Sequence, residues 1–317
     1  MARLGLAFHE DFIRHDAGPD HPERAERILA ILEQIRQASW INEVEFVEPR
    51  LATQEEVALV HDKRYVEAMR RLCDAGGQYL PLMGAAVGPA SYPAALRAVG
   101  AGLTLADGVM SGRWCMGFGL VRPPGHHAVY ARPWGCCIFN NVAVLAKYLL
   151  TRHGLSRIGI LDFDVHHGNG TEQAFWTDSR VLFCSIHQES CFPSDSGDWH
   201  DIGEGEGADF TINIPLPPKT TDRAFIDTLD RYADHAFRDF KPEFMLASAG
   251  FDGHWRDLQG GLNLTGQVYG EIAKRLRQWA EIAAEGRLIV MLEGGYDAAG
   301  NREGVSAFGD ELMKGQV

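Results

Sequence analysis

Short apolar runs alternate with amphipathic segments along the chain, and this alternation predicts its secondary structure. Runs bounded by turn residues predict strands, and apolar stripes with a period of 3.6 residues predict helices. The strands predicted in this way cover residues 4–8, 117–121, 157–165, 181–186, 210–215, 244–249 and 288–292. The segment 157–165 is apolar at nearly every position, which is typical of a strand buried on both faces of a parallel sheet.

Helices are predicted between these strands. The segment PERAERILAILEQIRQ has Pro22 near its first turn and an apolar stripe formed by Ile28, Ile31, Leu32 and Ile35. Thr53 and Glu56 form a capping-box pattern that opens a short helix. Longer helices are predicted over residues 94–110, 141–153, 222–240 and 265–285. Alternating strands and helices predict a doubly wound α/β fold with a mainly parallel sheet, in one domain over residues 1–317.

The composition and charge of the chain argue against several classes of function. The net charge of −13 argues against a nucleic-acid-binding surface. No apolar run approaches the roughly 20 residues that a membrane helix needs, and the first residues lack the apolar core of a signal peptide. The six cysteines form no C-x-x-C pair, so we expect reduced thiols. A cytoplasmic protein that binds neither membranes nor nucleic acid is expected.

The unusual polar residues follow the predicted strands. His126 and His127 come after one strand, His166 ends a second, and Asp252 and Tyr296 follow two others. Polar residues just past the carboxyl ends of parallel strands line the crevice where α/β sheets bind ligands. Four strands therefore direct polar groups at one edge of the sheet.

The stretch LDFDVHHGNG combines carboxylates with histidines. Asp162, Asp164 and His166 are spaced by two residues, so in a strand they point to the same side. Buried carboxylates so close together need a compensating cation, and mixed Asp and His ligands suit zinc or iron. Asp252 is a plausible third ligand, although alone it also fits a turn cap, and His254 competes for the role. His167 points away and is expected to be structural.

The stretch VRPPGHHAV holds two adjacent histidines in a stiff turn. Their side chains are expected to diverge, so His126 and His127 suit proton transfer better than shared metal binding, with an exposed polar turn as the alternative. Asp162 and Asn169 are suitable acceptors behind them. In LEGGYD, Tyr296 could donate to a carbonyl oxygen, or could simply pack at the sheet edge.

Together, RPPGHHA, GCCIFNNVAV, LDFDVHHGNG, SAGFD and LEGGYD resemble the zinc-dependent histone deacetylase superfamily. This superfamily includes bacterial histone deacetylase-like amidohydrolases and acetylpolyamine amidohydrolases. HPERAERI at residues 21–28 and VHDKRYVEAM at residues 60–69 extend the likeness over nearly the whole chain. Asn169 and the NNVA and LEGGY forms are similar to the class II branch. The fold implied is the three-layer α/β/α, arginase-like domain of these deacetylases.

The resemblance also implies a role for each matching residue. The implied ligands of zinc, with ferrous iron as the alternative, are Asp164, His166 and Asp252. The implied proton-transfer pair and its backing residues are His126, His127, Asp162 and Asn169. The implied catalytic tyrosine is Tyr296. A structural potassium ion is implied beside the zinc, held partly through backbone carbonyls by Asp162, Asp164, His166 and Ser185. The implied reaction is hydrolysis of an N-acetyl amide on a lysine side chain or a similar amine.

Departures from the family pattern concern the substrate channel. Gly135 is followed by Cys136 where relatives carry an aromatic residue, and the opposite wall keeps only Phe192. A channel that is wider on one side is expected to accept substrates with longer or branched acyl groups. Gln259 stands where some polyamine-specific relatives carry a glutamate. The missing carboxylate counts against a polyamine substrate. The chain also ends about twenty residues after Tyr296, which predicts a shortened C-terminal helical region.

Alternatives to an acyl-lysine hydrolase remain open. An acetylpolyamine deacetylase is the nearest, and a catalytically silent protein that binds a metal and acylated amines is another. An arginase-like ureohydrolase needs more carboxylate ligands near Asp252 and has no place for Tyr296. The sequence leaves a homo-oligomer open.

Overall fold

A central parallel sheet organises the structure, a computed structural model that describes residues 3–314. The strands among these residues are β1 (Leu4–Ala7), β2 (Val44–Val47), β3 (Gln78–Leu80), β4 (Ala85–Val87), β5 (Met116–Gly119), β6 (Ile158–Asp162), β7 (Val181–Gln188), β8 (Thr211–Leu216), β9 (Phe244–Ala249) and β10 (Leu288–Leu292). Eight of them form the sheet in the order β2-β1-β5-β10-β9-β6-β7-β8, and every neighbouring pair is parallel. The other two, β3 and β4, form a separate antiparallel hairpin.

Helices cover the sheet in two groups. The helices are α1 (Asp11–Arg14), α2 (Ala25–Arg36), α3 (Gln54–Val57), α4 (Lys63–Asp74), α5 (Ser91–Met110), α6 (Asn141–Arg152), α7 (Asn169–Phe175), α8 (Asp222–Leu229), α9 (His235–Phe240), α10 (Gly266–Ala283) and α11 (Ala298–Leu312). Helices α5 and α6 pack together against the sheet, and α2, α10 and α11 form a second packed group. No helix within residues 3–314 is long and apolar enough to cross a membrane. The three-layer α/β/α prediction with a mainly parallel sheet is confirmed.

The inner strands are buried on both faces. Every residue of β6, β9 and β10 is buried, and these strands consist mainly of aliphatic and small residues. This composition fits parallel strands with helices on both sides, because neither face can tolerate unpaired polar groups. Strands β5, β10, β9 and β6 are consecutive in the sheet, so their carboxyl ends form one continuous edge.

Several local predictions are confirmed. Strands Phe244–Ala249 and Leu288–Leu292 have the predicted bounds. The Thr53 hydroxyl accepts the Glu56 backbone N–H, and the Glu56 carboxylate accepts that of Thr53, which completes the capping box. All six cysteines are free thiols, although Cys115 is exposed.

Other boundaries were wrong for identifiable reasons. The strand predicted over 157–165 stops at Asp162. The Phe163 N–H still bonds to the Ser248 carbonyl oxygen, but the next two N–H groups bond to side chains, that of Asp164 to Asp162 Oδ1 and that of Val165 to Asp252 Oδ1. Pro22 lies before α2 rather than in its first turn, because the Glu23 N–H bonds to His21 Nδ1 and its side chain turns into the protein. The helix predicted over 222–240 has its predicted bounds, and a π-helical segment at Asp230–Asp234 joins α8 to α9 within it.

A buried ion cluster ties α2 to the loop after β5. The Glu23 carboxylate accepts two bonds from the Arg122 guanidinium, at 2.5 and 2.7 Å, and one from Arg27 at 2.8 Å. Arg122 also donates to the Phe12 carbonyl oxygen at 2.6 Å. Burial opposes ionisation of Glu23, but the two guanidinium groups outweigh it and lower its pKa to about 2. The cluster therefore stabilises the fold only while Glu23 is charged.

Glu23→Gln is expected to destabilise the protein at neutral pH by about 3–5 kcal/mol, because it leaves buried guanidinium charge uncompensated. A carboxylate whose folded-state pKa is depressed loses its contribution as pH falls from its unfolded pKa of 4.5 to the folded value of about 2. The stability difference between wild type and variant should therefore shrink by roughly 3 kcal/mol over that window. Denaturant unfolding measured across this pH range checks the prediction.

Glu10→Gln is the matched control, because the Glu10 carboxylate pairs with Arg14 at the exposed surface. This variant should keep close to wild-type stability at every pH. A stability difference for Glu23→Gln that does not change between pH 5 and pH 2 would show that the cluster does not hold Glu23 charged.

Candidate active site

Two aspartates and a histidine meet at the edge formed by β6 and β9. Ligand atoms of Asp164, His166 and Asp252 all lie within 4.8 Å of one another. His166 Nδ1 is 2.9 Å from Asp164 Oδ1 and 3.3 Å from Asp252 Oδ2. Asp252 Oδ2 is buried and has no hydrogen-bond partner. Of the three residues that the strand-parity argument placed on one side, Asp164 and His166 meet in this cluster beyond the end of β6, and Asp162 is the last residue of that strand.

Backbone N–H groups from neighbouring segments orient the two carboxylates. Asp164 Oδ2 accepts the Gly294 N–H at 2.7 Å, and Asp252 Oδ1 accepts the Val165 N–H at 3.0 Å. A Cβ atom at position 294 would lie 1.9 Å from Asp252 Oδ2, so only glycine allows this approach. The opposing oxygens, Asp164 Oδ1 and Asp252 Oδ2, remain directed at His166.

The charges at this cluster call for a cation. Burial, reinforced by the neighbouring Asp164 carboxylate, raises the pKa of Asp252 to about 6. Burial also opposes ionisation of Asp164, but His126 and His166 hold the pKa of Asp164 below its usual range. Two carboxylates and one imidazole, with one buried oxygen unsatisfied, match the mixed donor set of a catalytic divalent metal site. His254 is not part of the cluster, since its Nε2 lies 3.3 Å from Glu303 Oε2.

The tandem histidines lie beside this cluster and face each other. The ring centroids of His126 and His127 are 4.0 Å apart, so the expected divergence of the two side chains was wrong. His126 Nδ1 lies 2.9 Å from Asp162 Oδ2, and His127 Nδ1 lies 2.7 Å from Asn169 Oδ1. Asn169 also donates its amide to the His127 carbonyl oxygen at 3.4 Å, which fixes its Oδ1 as the acceptor. His127 Nδ1 therefore carries a proton, and its Nε2 is free to accept one.

The two imidazoles differ in charge preference because their partners differ. Burial disfavours a charge on His126, but the carboxylates of Asp162 and Asp164 outweigh it and raise its pKa to about 10. Burial lowers the pKa of His127 well below its ordinary value, and the neighbouring His126 and His166 lower it further. The two imidazoles therefore differ in their preference for a positive charge, which is favoured on His126 and disfavoured on His127.

Glu293 fastens the histidine turn to the end of β10. Its Oε2 accepts the backbone N–H groups of Gly125 at 2.6 Å and His126 at 3.1 Å, and its Oε1 accepts the Ser248 hydroxyl at 3.3 Å. Burial raises the pKa of this carboxyl to about 7. Sequence reasoning quoted Glu293 within LEGGYD but assigned it no role, because its partners are backbone groups far away in the chain.

Tyr296 is held from two sides. Arg27 donates to the carbonyl oxygens of Gly295 and Glu293, and its guanidinium lies 4.5 Å from the centre of the Tyr296 ring. Asp257 Oδ2 accepts the Tyr296 backbone N–H. Sequence reasoning missed both supporting residues. The sequence did contain one sign that Arg27 has a structural role. Arg27 lies four residues before Ile31 on the buried face of α2, and a charged side chain on a buried face needs a partner.

A cleft of about 320 Å³ opens above these groups. It is lined by His21, Pro22, Pro81, Leu82, Met83, Gly84, His127, Gly135, Cys136, His166, Phe192, Gln259 and Tyr296. All four channel residues named from the sequence therefore lie in one cleft with the catalytic candidates. A larger cavity, about 610 Å³, lies along the edge strand β8 and contains none of the predicted residues.

Of the four residues named for a potassium ion, Asp164 and His166 belong to the three-residue cluster, and Asp162 and Ser185 lie on the neighbouring strands β6 and β7. Ser185 pairs with Asp162 across β6 and β7, and its hydroxyl bonds to His187 Nδ1 at 2.9 Å. Both Ser185 and Asp162 are fully buried. His167 bonds through Nδ1 to the Ser196 hydroxyl at 2.8 Å, outside the three-residue cluster, as its structural interpretation requires.

Comparisons with known proteins agree with this geometry. Residues 21–312 match the family model described as the histone deacetylase domain. A probable deacetylase of Archaeoglobus fulgidus is 38% identical, over 93% of this chain and 82% of the relative. A histone deacetylase-like amidohydrolase of Pseudomonas aeruginosa is 36% identical, over 78% of this chain and 65% of the relative. The crystal structure of the HDA15 HD domain superposes with a TM-score of 0.91 at 28% identity, over 98% of this chain and 90% of that one. The chain belongs to the histone deacetylase family.

Proposed function

We propose that this protein is a metal-dependent amidohydrolase that removes the acetyl group from a lysine side chain or a similar amine. One observation carries the proposal: His166 of the metal-binding cluster, the imidazole of His127 and Tyr296 all border the same cleft. Family membership supports the deacetylase reaction. The proposal treats residues 1–317 as one catalytic domain, and it places the protein in the cytoplasm, in keeping with its six free thiols.

The metal in this proposal is zinc, with ferrous iron as the alternative, held by Asp164, His166 and Asp252. When bound there, such an ion supplies a Lewis acid for the amide carbonyl and lowers the pKa of water. The donor set supports this assignment, because one imidazole and two carboxylates leave room for water and substrate.

The residues of the chain then divide the proton transfers. His127 Nε2 accepts a proton from the attacking water, because Asn169 holds the hydrogen of this imidazole on Nδ1. The Tyr296 hydroxyl donates to the carbonyl oxygen as it becomes an oxyanion. Burial keeps the pKa of Tyr296 well above its ordinary value, so the hydroxyl retains its proton. When the C–N bond breaks, the histidine pair returns the proton to the departing amine, giving acetate and a free amine.

The Asp162 carboxylate stabilises a positive charge on His126, whose Nε2 lies 3.9 Å from Asp164 Oδ1 of the metal-binding cluster. The 2.9 Å bond between His126 and Asp162 lies within the protein, out of contact with solvent. The proposal adds a structural potassium ion held by Asp162, Asp164, His166 and Ser185, partly through backbone carbonyls. A monovalent cation there would offset part of the negative charge of these buried carboxylates.

The substrate class in the proposal is an acyl-lysine peptide or a small acylated amine. Gln259 borders the cleft with a neutral side chain, so that position offers no carboxylate to a polyamine. Acetylpolyamines and silent binding are therefore the alternatives that experiment must exclude.

We expect kcat/KM for an acetyl-lysine peptide to exceed that for acetylputrescine or acetylspermidine by about tenfold or more, because the cleft lacks a carboxylate at position 259. Steady-state assays of the zinc-loaded protein measure this ratio. A reversed ratio favours the polyamine alternative. Binding of zinc and a hydroxamate without hydrolysis of any of the three substrates would identify a silent binding protein.

Tyr296→Phe should lower kcat about 100- to 1,000-fold, because it removes one hydrogen-bond donor from the oxyanion. Zinc content should stay within about twofold of wild type, since the phenol is not a metal ligand. Tyr232→Phe is the control, because Tyr232 is exposed and lies outside the cleft. Wild-type kcat in Tyr296→Phe contradicts the role assigned to the hydroxyl.

His166→Ala and His127→Ala form a matched pair of histidine deletions in one cleft. Both should abolish measurable turnover, but only His166→Ala should lose the metal, which wild type binds at about one equivalent per chain. Metal analysis after gel filtration distinguishes them. Retention of zinc by His166→Ala, or its loss from His127→Ala, would show that the metal ligands are assigned to the wrong residues.

A further inference from the structure

The two sides of the cleft are built differently. On one side the Phe192 ring lies edge-on to His127, with centroids 5.0 Å apart, and Trp134 supports it at 6.3 Å. On the other side Cys136 occupies the position where relatives carry an aromatic residue. Its thiol is directed at His21 Nε2, 3.8 Å away. The small thiol leaves space that an aromatic ring would fill.

The turn of the β3–β4 hairpin borders that space. Pro81, Leu82, Met83 and Gly84 all line the cleft. The Met83 carbonyl oxygen accepts the Cys136 backbone N–H at 2.9 Å, which attaches the turn directly to the residue that departs from the family pattern. The hairpin is also tied to the N-terminal segment, because the Ala86 N–H bonds to the Ala17 carbonyl oxygen at 2.7 Å.

The position of this turn determines which part of a substrate it contacts. The inner end of the cleft holds His127, His166 and Tyr296, so the scissile carbonyl must lie there. Leu82 is 61% exposed and Phe192 is 41% exposed, which places them at the mouth. A substrate whose carbonyl reaches the inner end therefore extends its amine portion outward between Phe192 and the turn.

The turn presents apolar groups to the cleft, of which Leu82 is exposed and Met83 is buried. An exposed aliphatic side chain can change its rotamer, whereas the ring of Phe192 presents a rigid face. The hairpin strands are only three residues long and lie outside the main sheet, so the wall is less constrained than one fixed to that sheet.

We propose that the Pro81–Gly84 turn replaces the missing aromatic residue as the second wall of the cleft, and that it selects the amine portion of the substrate rather than the acyl portion. This inference rests on the proposed function. It changes the expectation from the sequence, because the space beside Cys136 admits apolar, branched or ring-bearing amines instead of longer acyl groups.

Substitution of Leu82 by a smaller and by a larger residue tests whether the turn forms a wall of the cleft. The assay compares kcat/KM for an acetyl-lysine peptide and for N-acetylbenzylamine, whose ring lies next to the amide. Leu82→Ala should raise the ratio of ring substrate to linear substrate, and Leu82→Trp should lower it, each by about tenfold. Cys136→Phe should lower the same ratio, since it restores an aromatic wall. Leu51→Ala, at another exposed leucine outside the cleft, should leave the ratio unchanged.

A second pair of substrates separates amine selection from acyl selection. Acetyl and butanoyl groups on the same lysine peptide should keep their kcat/KM ratio within about twofold in both Leu82 variants. The inference would be overturned if the Leu82 variants changed the ratio of acetyl to butanoyl substrate but not the ratio of ring to linear amine. It would also be overturned if the ratio of ring to linear amine stayed constant in all three cleft variants. Zinc-loaded wild type that hydrolyses none of these substrates contradicts the proposed function instead.

Discussion

The structure depends on the burial of four carboxyl groups at one edge of a parallel sheet. Asp162, Asp164, Asp252 and Glu293 are each at most 1% exposed. Unpaired carboxylates are very costly in such a place, so each must be neutralised by a specific partner. Asp162 has an imidazole, Glu293 has two backbone N–H groups, and the remaining two have backbone N–H groups and a metal-binding arrangement. The chemistry of the site follows from how these charges are balanced.

Buried positive charges near this edge also have specific partners. Arg27 and Arg122 share the single carboxylate of Glu23 and direct their remaining N–H groups at backbone carbonyl oxygens. Because two of these carbonyls belong to the segment that carries Tyr296, the tyrosine is positioned by a helix near the other end of the chain. The contacts that stabilise the fold here thus also position Tyr296.

Sequence reasoning succeeded where local pattern and residue type carry the information. Continuous apolar runs identified β6, β9 and β10, and the crowded carboxylates pointed to a metal. It failed where contacts between distant segments determine the local structure. Glu293 accepts backbone N–H groups that the sequence does not reveal. The end of β6 depends on Asp252 accepting the Val165 N–H. The β3–β4 hairpin escaped notice because three-residue strands separated by glycine and proline lack a detectable period.

The order of strands in the sheet has a consequence for how activity arises. Strands β5 and β10 are neighbours although they lie near residues 118 and 290, and Asp164 bonds to a backbone group 130 residues further along the chain. Long-range parallel pairing forms late, because large loops must close first. A partly folded or partly synthesised chain therefore cannot bring these distant segments together, so assembly of the candidate active site reports directly on completion of the fold.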